Sequence, residues 1–131
     1  MGSGYYESAL LRLRRIVTYL NARYNDVFEG QDITPTQFEI LLFVESNAPC
    51  SVSAIAEFML VDKSTSSRVL GGIQDKGLVQ IERDTVDRRR NRVSLTHMGQ
   101  DAVTSFKAAW FEVEKGVKGQ YDKAIEHLER F

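Results

Sequence analysis

Residues that build disulfides and metal sites are scarce in this chain. Among 131 residues there is one cysteine, Cys50, and there are two histidines, His97 and His127. One thiol cannot form an intramolecular disulfide or a thiolate cluster, and neither histidine lies at the spacing of a metal ligand. A glycine-rich phosphate loop and a nucleophile elbow are also missing. We therefore expect no metal, no cofactor, no catalytic residue and no enzyme activity.

Long apolar runs are also missing. No stretch of the sequence has the 18 or so consecutive apolar residues of a membrane-spanning helix, and the start MGSGYYE lacks the charged and apolar blocks of a secretory signal. We expect a cytoplasmic protein without a membrane partner. Since 43% of the 131 residues are hydrophobic, residues 1–131 are expected to form a single domain with one core.

Basic residues are absent from residues 31–61 and abundant directly after them. Residues 62–92 hold eight Lys/Arg against five Asp/Glu, a local net charge of +3, whereas the whole chain carries −1. A cation cluster on an otherwise acidic chain indicates a directed site for a polyanion. A charged hairpin that only faces solvent is the alternative.

The first third of the sequence predicts two helices. Apolar residues at three- and four-residue steps predict a long amphipathic helix from Tyr5 to about Phe28. The start of the next helix is marked by Thr34 as N-cap, Pro35 at the first helical position and Gln37, which completes a capping box.

Residues 51–76 predict two helices joined by a tight turn. Ser51 caps the first, which runs from Val52 to about Met59, and Asp62 caps the second. In the second helix one face is apolar and the opposite face is small, polar and cationic. Such a polar face can enter a major groove and reach phosphates and base edges, although it can also be an ordinary solvent face. Its residues are Lys63, Ser64, Ser67, Arg68 and Gly71.

Alternating apolar and polar residues then predict a hairpin. Residues 78–83 and 91–95 should pair as antiparallel strands around the loop DTVDRRR. Guanidinium groups at the tip of such a loop can insert into a narrow minor groove. We expect Asp87 to pair with a neighbouring arginine and fix the shape of the loop. The arginines of the tip are Arg88, Arg89 and Arg90.

An apolar stripe recurs at three- and four-residue steps from residue 96 to the end of the chain. It is too long for a domain of this size to cover alone, so we expect a partner helix related by a two-fold axis. A long intramolecular core helix is the alternative. Gly116 and Gly119 are expected to mark a bend between two C-terminal helices. The residues expected at the dimer contact are Leu10, Leu13, Val17, Trp110, Val113, Val117, Tyr121 and Leu128.

A short helix, a turn, a capped helix and a basic hairpin together form a winged helix-turn-helix. From Ile33 to Gly99 the residues resemble the multiple antibiotic resistance regulator (MarR) family. TPTQFEILLF resembles the helix before the motif, and SVSAIAEFMLVDKSTSSRVLGGIQDKGLV resembles the helix-turn-helix itself. DRRR at 87–90 resembles the wing tip, and LTHMG at 95–99 resembles the start of the next helix.

The resemblance implies a mainly α fold with a small β-hairpin wing, a DNA-binding region at 33–96 and dimerisation helices at 5–29 and 97–131. It also implies a homodimeric, sequence-specific transcriptional regulator, most often a repressor, that binds a pseudo-palindromic operator in double-stranded DNA. The residues expected at the major groove and its phosphates are Lys63, Ser64, Thr65, Ser67 and Arg68. Those expected at the minor groove are Arg88 and Arg89, and we add Arg90 because it lies at the same hairpin tip.

Many members of the family respond to a small effector molecule, and others sense oxidants through cysteine. Cys50 has no adjacent Lys, Arg or His to lower its pKa, so we expect an unreactive thiol. Aromatic and sulfur-containing side chains at helical spacing can line an effector pocket or simply form the core. The residues in question are Tyr19, Tyr24, Phe43, Met59, Phe106 and Trp110.

The sequence departs from the family pattern inside the second helix of the motif. Ser67 stands where a threonine is common, and Gly71 and Gly72 are unusual. Each glycine in a helix interior costs about 1 kcal/mol relative to alanine. The pair either permits close approach to DNA or to a neighbouring segment, or leaves the helix loosely held.

One alternative function is not enzymatic. A winged helix can serve as a protein–protein interaction module whose basic wing contacts an acidic partner, with little or no specific DNA binding. A mobility shift with upstream DNA separates this function from that of a DNA-binding regulator.

Overall fold

The computed structural model describes residues 8–87 and 90–129, with the side chains of all of these except positions 120, 123–125 and 127–129. Within these ranges the structure is mainly helical with one two-stranded antiparallel sheet, as the sequence predicts. In chain order the elements are α1 (Ala9–Asn25), a 3-10 turn (Asp26–Phe28), α2 (Pro35–Asn47), α3 (Val52–Met59), α4 (Lys63–Asp75), β1 (Val79–Arg83), β2 (Asn91–Leu95) and α5 (His97–Glu129).

The chain divides into two compact units. The terminal unit combines residues 1–32 with 108–131, and the central unit is residues 33–107. The central unit therefore contains α2, α3, α4 and the hairpin, which are the elements that the sequence assigns to DNA binding.

The core of the central unit is formed by one face of each of its helices and by the inner side of the hairpin. Helical spacing brings apolar residues to one side of α3 and α4, while α2 is apolar around more of its circumference, and burying each such side chain contributes about 1.5–3 kcal/mol. Phe106 of α5 adds an edge-to-face contact with Phe38, with ring centroids 6.4 Å apart. Fully buried side chains of this core are Phe38, Ile40, Leu41, Val44, Ile55, Leu70, Ile73, Val79, Val93 and Val103.

The predicted starts of α2 and α3 are confirmed, whereas α1 begins at Ala9 and not at Tyr5, which lies outside the described residues. Thr34 Oγ1 accepts from the backbone N–H of Gln37, and Gln37 Oε1 accepts from the backbone N–H of Thr34, both at 3.1 Å. Lys76 Nζ donates to the same Gln37 oxygen at 2.9 Å, which ties the end of α4 to the start of α2. Ser51 Oγ accepts from the N–H of Ala54 at 3.0 Å and caps α3.

The two strands pair in one continuous antiparallel register. Val79 lies opposite Leu95 at the base of the hairpin, and Arg83 lies opposite Asn91 near its tip. The strand bounds predicted from the period-two alternation are confirmed to within one residue.

The terminal unit is held together by aromatic contacts between α5 and the end of the N-terminal segment. The ring of Trp110 lies 4.4 Å from that of Tyr24 and 6.0 Å from that of Phe28, measured between centroids. The hydroxyl of Tyr24 donates to the carboxylate of Glu114. Trp110 is only 4% exposed, so this cluster is the apolar centre of the unit.

The predicted bend between two C-terminal helices is wrong. α5 runs without interruption from His97 to Glu129, through both Gly116 and Gly119. A glycine in a helix interior keeps its N–H and costs only about 1 kcal/mol relative to alanine, which the packing of the buried Trp110 and of other side chains along α5 offsets. Neither α5 nor any other helix of the described ranges is long and apolar enough to cross a membrane.

Candidate nucleic-acid interface

The second helix of the motif, α4, begins at a well-defined cap. Asp62 Oδ1 accepts from the backbone N–H of Thr65 at 3.1 Å. Hydrogen bonding from Thr65 holds the pKa of Asp62 below its ordinary range, because the bond favours the charged carboxylate. The cap fixes where the helix starts and therefore which residues of α4 share a face.

The outer face of α4 follows the prediction from helical spacing except at Gly71, which is half-buried. Lys63, Ser64, Ser67 and Arg68 are exposed, and Thr65 is half-buried beside them. Arg68 Nη2 lies 3.4 Å from Thr65 Oγ1, so the guanidinium leans toward the N-terminus of the helix. The structure thus brings the five predicted major-groove residues to one end of one helix.

The inner face of α4 contains a polar residue that the sequence patterns did not identify. Ser66 is completely buried, and its hydroxyl donates to the backbone carbonyl of Val52 at 3.0 Å. The bond joins α4 to the first turn of α3. Its sequence signal is the spacing, because Ser66 precedes the buried Leu70 and Ile73 by four and seven residues on the same helical face.

The hairpin loop is organised by Asp84, for which the sequence predicted no role, in addition to the predicted pairing of Asp87 with an arginine. The carboxylate of Asp84 accepts from the backbone N–H groups of Val86 at 2.8 Å and Asp87 at 3.4 Å. The Val86 bond is the main reason that the pKa of Asp84 lies below its ordinary range. The N–H of Asp84 also donates to the carbonyl of Arg90 at 3.0 Å and closes the loop.

Asp87 contacts the arginine that follows the tip. Its carboxylate lies 3.8 Å from Arg90 Nε, and its carbonyl accepts from the backbone N–H of Arg90 at 3.0 Å. The side chain of Arg90 is 74% exposed in spite of this ion pair, so it remains accessible to a polyanion. Arg88 and Arg89 lie outside the described residues.

A polar cleft of about 360 Å³ lies at the start of α3. It brings together Lys63, at the start of α4, and Arg90, at the end of the hairpin loop, which are far apart in sequence. Two cations beside the N-terminus of a helix favour an anion such as a phosphate group. The lining residues are Ser51, Val52, Ser53, Lys63, Arg90 and Asn91.

Cys50 directly precedes Ser51 of this cleft in the chain and is bonded to the wing through its backbone. It exchanges two backbone hydrogen bonds with Val93, at 3.1 and 2.7 Å. Burial raises the pKa of the Cys50 thiol, which disfavours the reactive thiolate. In the described ranges no three His, Cys, Asp or Glu side chains form a group that could hold a metal ion.

The residues expected to line an effector pocket contact different partners. In the terminal unit Tyr24 packs on Trp110, while Tyr19 makes an edge contact with Tyr121 at 6.5 Å. Tyr24 also lines a cavity of about 390 Å³ with Leu20, Glu114, Val117, Lys118, Asp122 and Glu126.

In the central unit the remaining members of this set have other neighbours. Phe43 stacks on Phe58 with centroids 4.5 Å apart, and Phe106 contacts the core, as described above. Met59 lines a separate cavity of about 250 Å³ with Thr36, Glu39, Ile40 and Phe58.

The residues expected at a dimer contact divide into exposed and buried groups. Leu10, Leu13 and Val17 are 65%, 42% and 53% exposed, and α1 has no buried residue. Val113 and Tyr121 are half-buried, and the side chain of Leu128 lies outside the described part of the chain. Trp110 and Val117 are buried within the terminal unit, at 4% and 5% exposure, so side chains of the same chain cover part of the stripe.

Two helices joined by a tight turn, the second with an exposed cationic face, followed by a two-stranded hairpin define a winged helix-turn-helix protein. Residues 31–90 match the model of the MarR family. The match spans 60 of the 131 residues, so the chain is similar to this family over its central part.

Known proteins with related sequences or folds agree with this assignment. The HTH-type transcriptional regulator SarZ of Staphylococcus haemolyticus is 21% identical over 112 residues, which cover 81% of this chain and 76% of SarZ. The M. tuberculosis transcriptional regulator MosR, solved in complex with DNA, is 25% identical with a TM-score of 0.80 and 95% coverage of both chains.

A third protein, Bordetella bronchiseptica BpsR, has a TM-score of 0.81 at 23% identity, covering 98% of this chain and 96% of BpsR. The DNA binding of BpsR is regulated by 6-hydroxynicotinic acid. The chain spans 48 to 61% of the length of several other curated relatives.

Proposed function

We propose that this protein is a homodimeric regulator that binds a pseudo-palindromic operator in double-stranded DNA and represses transcription by occupying it. The observation that carries the proposal is the cleft in which Lys63 and Arg90 flank the start of α3, beside the exposed face of α4. Each cation is presented by a different element, so the cleft joins the start of α4 and the end of the hairpin loop into one site that can bind a polyanion. Operator binding of this kind takes place in the cytoplasm.

Electrostatics supply most of the affinity in this proposal. If about four cations of each protomer neutralise phosphates, a dimer releases about eight counterions, and log affinity falls with log salt at a slope of about −7. Ser64, Ser67 and Arg68 then supply sequence discrimination, because phosphate contacts alone carry none. By family resemblance Arg88 and Arg89 bind the minor groove.

The exposed apolar row on α1 supports the dimer. Leu10, Leu13 and Val17 are spaced so that they share one side of the helix, and Phe111 of the same unit is 45% exposed. Several large apolar side chains exposed on one small unit are typical of a protein interface. A two-fold partner then presents two copies of α4 about one turn of DNA apart, which matches a pseudo-palindrome.

A small-molecule effector is a further part of the proposal. The cavity beside Tyr24 has a volume of about 390 Å³, within the range that small ligands occupy. Its wall includes Glu114, which accepts the Tyr24 hydroxyl, so a ligand that displaced this bond would alter the packing of α5. The effect of 6-hydroxynicotinic acid on BpsR is a precedent for such control.

The test is a mobility shift with the DNA upstream of the protein's own coding sequence and an excess of nonspecific competitor. We expect a discrete complex that survives the competitor. The double variant Lys63→Ala/Arg90→Ala should form the complex only at much higher protein concentration, while Lys115→Ala, which removes an exposed cation from α5, should bind like the parent chain. Capture of an acidic protein without any DNA complex would instead favour the protein–protein interaction module.

A further inference from the structure

Gly71 and Gly72 lie in the interior of α4, at its surface, with Gly72 exposed and Gly71 half-buried. Successive residues of a helix are about 100° apart around its axis. Gly71 and Gly72 follow Arg68 by about one helical turn. Seen along the helix axis, one glycine therefore lies on each side of Arg68. They continue the row that Ser64 and Arg68 begin on the outer face.

Nothing inside the described chain requires glycine at these positions. A Cβ built at either one meets no atom within 4 Å, and neither has the positive φ that favours glycine, as Gly77 does with φ 77°. Alanine would also make the helix more stable. Contact with a neighbouring segment of the described chain therefore does not explain why both positions are glycine.

The surface over the glycines is also left open by their neighbours. Arg68 leans toward Thr65, away from the pair. Asp75, the next residue on this line, is exposed and carries a negative charge, which disfavours phosphate near the end of the helix. A phosphate contact is therefore less favourable at this end of the row than beside Arg68.

We propose that Gly71 and Gly72 determine operator specificity by letting α4 sit deeper in the major groove than a helix with side chains there. A helix with its side chains is about 10–12 Å wide, and the major groove is about 12 Å wide. Because the fit is this close, a helix that has no side chains at two positions facing the DNA can enter the groove more deeply. Base edges then contact the bare backbone, and Arg68 is brought within reach of a base one turn away. This inference rests on the proposed function.

The experiment compares Gly71→Ala and Gly72→Ala with Gly119→Ala, a matched control in α5 where a Cβ also meets nothing within 4 Å. Affinity for the operator and for a scrambled duplex is measured at one salt concentration, and thermal unfolding is recorded for each variant. All three variants should unfold at the same or a higher temperature than the parent chain. The two α4 variants should lose operator affinity by about tenfold or more, the size of one lost base contact, while scrambled-duplex affinity changes little.

Failure of this inference can be distinguished from failure of the proposed function. If the parent chain prefers the operator and both α4 variants keep that preference, the inference is overturned while the proposed function stands. Tighter binding by either α4 variant overturns it in the same way, since the glycines would then only loosen the helix. If the parent chain shows no preference for an operator, the proposed function fails and the inference fails with it.

Discussion

The backbone carbonyl of Leu78 occupies the space in which a side chain on Gly99 would begin. A Cβ added to Gly99 would lie 2.0 Å from that oxygen. Thr96 fixes the approach, because its hydroxyl donates to the carbonyl of Gly77 and accepts from the N–H of Gly99 at 3.0 Å. The base of the wing and the first turn of α5 are thus held together at this point.

We expect Gly99→Ala to destabilise the protein by about 2 kcal/mol or more, since the clash is with backbone that cannot rotate away. Chemical denaturation measures the free energy of unfolding. Gly119→Ala, where the added methyl meets nothing, should be neutral or stabilising. Equal unfolding midpoints for the two variants would show that the contact between Gly99 and Leu78 is not a constraint.

Ser66→Ala should lower the free energy of unfolding by about 1 kcal/mol, because the carbonyl of Val52 loses its buried donor. Ser67→Ala is the control on the exposed face of the same helix and should change stability by less than about 0.5 kcal/mol. Midpoints of urea unfolding at unchanged slope distinguish the two. If Ser66→Ala is as stable as the parent chain, the hydrogen bond between α3 and α4 makes no net contribution to the free energy of unfolding.

The wing loop should respond to acid through Asp84. Since hydrogen bonds from Val86 and Asp87 lower its pKa, their contribution to loop order is complete above the pKa of an unfolded aspartate and is lost as pH falls through the lower folded value. Amide NMR should show the Val86 signal unchanged until the pH is below the ordinary aspartate range.

In Asp84→Asn the same signal should not titrate, because the side chain has no charge to lose. Asp101→Asn, on an exposed part of α5, is the matched control and should leave the Val86 titration as it is in the parent chain. A Val86 titration at or above the ordinary aspartate range would contradict the role of Asp84.

Val17→Glu should convert the protein to a monomer. A carboxylate placed in the apolar row of α1 would be buried against a partner without a counter-charge, at a cost of several kcal/mol. Sedimentation velocity at micromolar concentration measures the change. Leu60→Glu is the control, since Leu60 is 91% exposed in the central unit, and that variant should remain dimeric. A parent chain that sediments as a monomer would remove the dimer from the proposal.

Local rules predicted the parts of this structure that depend on neighbours in sequence. The capping box of Thr34 and Gln37 and the caps at Ser51 and Asp62 involve residues three apart, so a single sequence contains both partners. The hairpin was predicted for a similar reason. A strand with one buried face alternates apolar and polar residues, and this pattern is visible in neighbouring residues of the sequence.

The features that were missed depend on partners distant in sequence or on packing. The spacing of Ser66 places it on the buried face of α4, but its partner Val52 is 14 residues away in sequence, so no local pattern predicts the bond. Asp84 and Asp87 are equivalent by sequence, and only the fold of the loop shows which one accepts the backbone N–H groups. The predicted bend at Gly116 failed because helix propensity is a weak preference that packing along α5 overrides.

The central claim is that Lys63 and Arg90 together bind the phosphates of one DNA duplex. The most direct test is the slope of log operator affinity against log salt for the parent chain, for Lys63→Ala/Arg90→Ala and for the control Lys115→Ala. With two cations lost from each protomer, the double variant should have a slope shallower by about four, whereas the control should match the parent. A double variant with the parental slope would contradict the claim, because neither cation would then contact DNA.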